Sequence, residues 1–166
     1  MAMTVSSKDE ILTILADDSR TSPEKIAKLT GQSVEAVTKK IAEYEQRGII
    51  KRYKTTIDWE KLGVEEVLAF IDVKVLPARD VGFDAVAERI YRYPEVRSVW
   101  LVSGGFDLRI VVEGRNIRDL GRFVSEKLAT IEGVTATDTH FVLRRYKEDH
   151  DLFADSEEDN RLVVTP

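Results

Sequence analysis

Residues 22–48 read SPEKIAKLTGQSVEAVTKKIAEYEQRG, and this stretch decides the N-terminal fold. Ser22 before Pro23 is a helix start. The hydroxyl accepts from a free N–H of the first turn, and a proline there gives up no hydrogen bond. The spacing predicts a helix over 23–29 that buries Ile26, Ala27 and Leu29. Thr30-Gly31-Gln32 allows only a sharp corner, and Ser33 is a second N-cap. A further helix is predicted over 34–46, with Val37, Ile41 and Tyr44 on its inner side, Val34 beside them, and Gly48 as its stop. Upstream, Ile11, Leu12, Ile14 and Leu15 fall on one side of a helix over 8–17, which Asp17-Asp18-Ser19 ends. Two helices joined by a short glycine-containing turn make a helix-turn-helix. Ala27, Gly31 and Val37 supply the small crossing residue, the permissive corner and the branched lock it needs.

The outward face of the third helix carries the functional expectation. At about 100° per residue, Lys39 points directly away from the inner side. Glu35, Ala36, Glu43 and Gln46 share its side, and Thr38 and Lys40 flank it. Gln32 and Ser33 sit at the tip, where phosphate meets unpaired N–H groups. In such motifs the second helix enters the major groove of DNA. Residues 49–57, IIKRYKTTI, are rich in β-branched side chains and predict a strand or short wing. Lys51, Arg52 and Lys54 there are suited to the DNA backbone, where contacts position a protein without reading sequence. The expected DNA-binding set is Gln32, Ser33, Glu35, Ala36, Thr38, Lys39, Lys40, Lys51, Arg52 and Lys54.

Charge agrees once it is resolved along the chain. The net of −5 would argue against a polyanion partner. Residues 1–58, however, carry ten Lys/Arg against nine Asp/Glu, and residues 39–54 hold six against two. A local cationic patch steers DNA better than the average suggests. The 166 residues, 43% hydrophobic and 33% charged, have room for one ordinary or two small folded domains. No apolar run approaches the ~20 residues of a membrane span, and the first ten residues lack a secretory pattern. With no cysteine, thiol and disulfide chemistry is excluded and a cytoplasmic location is expected. His140 and His150 stand isolated, so no metal site and no cofactor are expected.

From residue 64 the pattern changes. VEEVLAFIDVKV is a β-type run, and Phe83, Val86, Ala87 and Ile90 recur at helical spacing. VRSVWLV and FDLRIVVE are strands around a Gly104-Gly105 hairpin signal. Asn116 caps a helix bearing Ile117, Leu120, Phe123, Val124, Leu128 and Ile131, and VTATDTHFVLRRY is the fourth strand. The order βαββαβ is the split ferredoxin-like unit, with both helices on one face of an antiparallel sheet. The bare face needs cover. Phe70, Trp100 or Leu101, and Phe141 or Leu143 are its candidate apolar residues, and a second copy is the economical cover, so a homodimer is expected. The chain thus divides into a winged helix-turn-helix domain at 1–56, a linker at 57–63, an α+β ferredoxin-like domain at 64–147 and an acidic tail at 148–166, where RLVVT could still pack as a short strand.

Four stretches in this order resemble the Lrp/AsnC ("feast or famine") transcription regulators: QSVEAVTKKIAEYEQRGIIKRY, IDWEKLG, YPEVRSVWLVSGGFDLRIVVE and EGVTATDTHFVLRRYK. The paired basic site matches Lys39-Lys40, and the Gly-x-aromatic-Asp loop matches Gly104-Gly105-Phe106-Asp107. The resemblance implies dimers, often assembled into tetramers or octamers, that bind double-stranded DNA. It also implies a small-molecule effector, commonly an amino acid, held between ferredoxin-like domains. Ser103, Gly104, Gly105, Phe106 and Asp107 would line that pocket, completed by Thr137 and Thr139. Glycines there let a carboxylate approach backbone N–H groups. Asp107 would accept from an ammonium group or hold the turn. Tyr44 departs from the family's usual leucine, and lysines replace arginines at 39 and 40.

No catalytic constellation is visible, so the chain is read as a non-enzyme. Two alternatives share the modules. One is a tetrapyrrole (sirohaem) decarboxylase-like enzyme using His140; the other is a protein-interaction module.

Overall fold

The computed structural model describes residues 9–77 and 82–153. Contacts divide the chain into two compact units, Met1–Ile57 and Asp58–Pro166. The first contains three helices: α1 (Glu10–Asp17), α2 (Pro23–Thr30) and α3 (Val34–Gln46). A side-chain cap starts each one. Asp9 accepts from the N–H groups of Ile11 and Leu12, Ser22 from Lys25, and Ser33 from Ala36. Gly31, at φ 69°, makes the corner between α2 and α3 in a backbone region that favours glycine. Gly48, at φ 63°, closes α3. Its N–H donates to the Glu45 carbonyl while that of Ile49 donates to Tyr44, a Schellman pattern.

Ile11, Ile26, Ala27 and Val37 form the core of this unit, flanked by Ile14, Leu15 and Ile41. Leu29 does not join it and is 62% exposed. It lies about 110° around α2 from the midpoint of Ile26 and Ala27, at the edge of the buried stripe. Val34 is 42% exposed, so the inner face of α3 begins at Val37. The strand expected over 49–57 is not formed. A strand needs a second backbone, and the segment is held by side chains instead. Ser19 Oγ donates to the Lys54 carbonyl at 3.0 Å, and Tyr53 Oη to Glu45 Oε1 at 2.8 Å.

In the second unit, Asp58 Oδ1 accepts from the Lys61 N–H and caps a turn closed by Leu62 and Gly63 N–H bonds to Trp59 and Glu60. The IDWEKLG stretch, expected as a linker, thus contains a capped turn. Beyond it come β1 (Val67–Val75), α4 (Asp84–Tyr91), β2 (Val96–Leu101), β3 (Leu108–Gly114), α5 (Ile117–Arg122) and β4 (Val134–Phe141). The sheet runs β2-β3-β1-β4 with every pair antiparallel, as the βαββαβ order requires. Past Arg122, α5 continues as a π-helical segment, Phe123–Leu128. Its i→i+5 bonding stacks residues five apart, so Phe123 and Leu128 both reach the core. Ile117, expected among the apolar set, is exposed in the first turn.

One face of the sheet is packed. Ala69, Ile71, Val73 and Val75 of β1 and Leu108, Ile110 and Val112 of β3 join Val86, Ile90, Leu120, Phe123, Leu128 and Ile131 in one cluster. The other face is open and carries Phe70 and Trp100, 39% and 48% exposed. Register removes two of the candidates for that face. Leu101 lies opposite Leu108 and Phe141 opposite Ala69, so both belong to the helix side. A hairpin of β5 (Lys147–Glu148) and β6 (Asp151–Leu152) follows, with the Arg145 guanidinium 3.6 Å from the Phe153 ring centroid. The first part of the acidic tail is thus folded. Its remainder, with Asp155, Glu157, Glu158, Asp159 and the RLVVT stretch, lies outside the described residues.

Candidate nucleic-acid interface and effector loop

The DNA-facing expectation concerns the first unit. Gln32, Ser33, Glu35, Ala36, Thr38 and Lys39 are all exposed on the corner and outward face of α3. Part of their hydrogen-bonding capacity is already used, since Ser33 Oγ accepts from Ala36 N–H and Thr38 Oγ1 donates to the Val34 carbonyl. No ion pair engages Lys39 among the described residues, nor Lys51, Arg52 or Lys54 on the exposed segment after α3. Arg47, in contrast, is paired with Glu43 at 2.8 Å.

Lys40 differs from its neighbour. Its Nζ lies 2.7 Å from Asp9 Oδ2, and the Tyr44 hydroxyl donates to that same oxygen at 2.9 Å. Oδ1 of Asp9 meanwhile caps α1. The Lys40 ammonium holds the Asp9 carboxyl below its usual range, and Asp9 in turn raises the ammonium. Lys40 therefore takes part in an intramolecular latch between α1 and α3, with its side chain still 41% exposed. Tyr44, the departure from the family pattern, contributes the hydroxyl that this latch uses. Sequence reading missed Asp9 as a partner, because 31 residues separate it from Lys40. Its N-cap position before Glu10-Ile11 was the only available signal.

In the second unit, Ser103, Gly104 and Gly105 form an exposed loop. The Val102 N–H donates to the Asp107 carbonyl across it, so four residues turn the chain. The Asp107 carboxylate is committed. Oδ2 accepts from the Val75 N–H at 2.9 Å, and Lys74 Nζ lies 3.2 Å away. The Val75 N–H first, and Lys74 after it, keep this carboxyl below the ordinary range. Asp107 holds the turn against β1. Thr137 and Thr139 lie opposite Val73 and Ile71 on β4, while the Asp107 N–H donates to the Val73 carbonyl. Thr137 thus lies level with the loop on the far side of β1, and Thr139 two residues further along, opposite the middle of that strand.

Two clefts open to solvent lie elsewhere in this unit. One is lined by Trp59, Leu68, Arg97 and Arg144; the other by Glu95, Asp119, Phe123 and Lys127. Neither includes the loop, Thr137, Thr139 or His140. His140 sits on the open sheet face, its Nε2 3.8 Å from Asp72 Oδ2 and 3.5 Å from Asp138 Oδ2. Asp72 is gripped by Arg109 through two 2.7 Å bonds, and that guanidinium keeps its carboxyl below the ordinary range. Cross-strand register created this ion pair, which the sequence did not announce.

Comparison with known proteins extends over both units. A family model of winged helix-turn-helix DNA-binding matches residues 9–51, and one of the Lrp/AsnC ligand binding domain matches residues 68–152. The uncharacterized HTH-type transcriptional regulator YugG of Bacillus subtilis is 49% identical over 95% of this chain and 95% of its own length. AsnC of E. coli superposes with a TM-score of 0.66 at 26% identity, covering 84% of this chain and 91% of that one. A feast or famine regulatory protein from M. tuberculosis, solved in complex with L-methionine, gives 0.69 at 25% identity, covering 85% and 92%. With both modules matched in order and a relative this similar over nearly the whole length, the chain belongs to the Lrp/AsnC family of DNA-binding transcriptional regulators.

Proposed function

We propose that the regulator reads duplex DNA with the corner and outward face of α3 and that a small amino acid, bound at the Ser103–Asp107 end of the sheet, modulates it. The observation that carries the first part is the exposed face of α3, whose central Lys39 has no ion pair among the described residues and whose tip carries the Ser33 cap on the Ala36 N–H. Gln32, Ser33, Glu35 and Thr38 supply donors and acceptors for base edges, and Ala36 an apolar contact. Lys51, Arg52 and Lys54 add phosphate contacts whose strength falls with salt. Lysine lacks the planar fork that grips guanine, so Lys39 serves as a point charge on the backbone or a single donor.

A homodimer through the open sheet face presents two such heads, and further association yields tetramers or octamers. Phe70 and Trp100 give that face its apolar surface. The L-methionine complex of the M. tuberculosis regulator supports an amino-acid effector. The matched ligand-binding region spans Ser103, Gly104, Gly105, Phe106, Thr137 and Thr139. Asp107 anchors this loop, leaving the glycine N–H groups to meet a carboxylate. Its role is regulatory and non-catalytic, in the cytoplasm. Thermal unfolding against a panel of the common amino acids tests the effector: one or more raises the melting temperature, and Asp107→Ala abolishes the rise. No shift with any of them overturns the free amino-acid reading.

A further inference from the structure

We propose that Asp9 sets the DNA selectivity of this regulator by sequestering Lys40, so that of the two adjacent lysines on α3 only Lys39 reaches nucleic acid. Four contacts converge on one carboxylate. Oδ1 takes the Ile11 and Leu12 N–H groups at 3.0 and 3.4 Å. Oδ2 takes Lys40 Nζ at 2.7 Å and the Tyr44 hydroxyl at 2.9 Å. Lys40 Nζ also lies 5.8 Å from the Tyr44 ring centroid, within cation–π range. The Lys40 side chain, 41% exposed, is therefore drawn toward α1 by one ion pair and an aromatic face.

The consequence is electrostatic. A cation that neutralises a phosphate releases counterions, and each such contact adds about 0.9 to the slope of log affinity against log salt. That gain is independent of sequence. Two free lysines on α3 would strengthen binding to every duplex alike and dilute the discrimination supplied by Gln32, Ser33 and the base-facing residues. Asp9 removes one of the two from that pool while using it to brace α3 against α1. The carboxyl's lowered affinity for protons, caused chiefly by Lys40, keeps Asp9 ionised and able to pair with that lysine at neutral pH.

The inference rests on the DNA-binding reading, and a salt titration separates the two. The full-length chain is compared with Lys39→Ala, Lys40→Met and Asp9→Asn on two probes: a duplex selected by the wild type from a random library, and an unselected random duplex of equal length. Asparagine retains the N-cap and removes only the charge. Lys39→Ala is expected to lower the slope by about 0.9 per engaged subunit. Lys40→Met is expected to leave the slope at the wild-type value. Asp9→Asn frees the lysine, steepens the slope by a similar step, and raises affinity for the random duplex severalfold, so the ratio between probes falls. Adding Lys40→Met to Asp9→Asn restores the wild-type slope. A lowered slope in Lys40→Met overturns the proposal, since Lys40 would then be touching phosphate. So does an Asp9→Asn protein with unchanged slope and unchanged random-duplex affinity. An unchanged slope in Lys39→Ala instead counts against the α3 reading itself.

Discussion

Truncating Val37 to alanine tests how the DNA-binding unit is held together. Val37 is fully buried where α3 crosses α2, in a cluster whose other buried members are Ile11, Ile26 and Ala27. Val37→Ala deletes two methyl groups, each worth about 0.8 kcal/mol of transfer. The cavity left behind adds to this, because a helix crossing collapses only partly, and the total comes to about 2–3 kcal/mol. A unit of this size has roughly 3–8 kcal/mol of stability. The loss is therefore a large share of it and lowers its melting temperature by roughly 10–20 °C. Scanning calorimetry and far-UV circular dichroism read the transition, and DNA binding at a fixed temperature should fall with the folded fraction. Cooling below the lowered midpoint should restore it. A melting shift under about 3 °C would refute the packing argument, because it would mean that the side chain is not enclosed as described.

Three further outcomes follow from the second unit. Asp72 has a folded-state pKa below its unfolded value because of Arg109, so its stabilising contribution is present above the ordinary carboxylate range and is lost as pH falls through the lowered value. Urea titrations at a series of pH values should show Arg109→Met losing most stability at neutral pH and progressively less in acid; an equal loss at every pH would assign the effect to packing. Phe70→Glu with Trp100→Glu should convert the proposed homodimer to monomer in light scattering, while a dimer of undiminished affinity would place the interface elsewhere. Releasing the loop anchor with Asp107→Ala should speed amide exchange at Val75, whose N–H it accepts, and unchanged exchange there would discount the bond.

Much of the architecture was legible because local chemistry announces it. Ser22-Pro23, Gly31, Ser33 and Gly48 each mark a helix end through a cap or a positive φ, and all four act as such. The βαββαβ order followed from periodicity alone. What escaped depends on contacts across the fold. The pairing of Asp9 with Lys40 and Tyr44 joins residues 31 and 35 apart. Leu101 and Phe141 turned out on the helix side because register, with irregularities at Lys74/Val75 and Val96/Ser98, fixes the face. The composition of residues 49–57 suits a strand, yet pairing needs a neighbour that composition cannot supply. The π-helical segment hides for a related reason: Leu120, Phe123, Val124 and Leu128 already recur at ordinary helical spacing, so their pattern gives no sign of it. For the effector loop, the glycines were readable as a turn, while the bond from Val75 to Asp107 was not.

The absence of cysteine from the chain makes one direct measurement available. Ala36→Cys, placed on the exposed face of α3, is labelled with a photo-crosslinker and irradiated on a selected duplex, and the DNA is sequenced at base resolution. Crosslinks at defined bases, lost when Lys39→Ala is added, are the predicted result. An Ala36→Cys protein that binds the duplex with full affinity yet crosslinks no base would contradict the claim that α3 faces the groove.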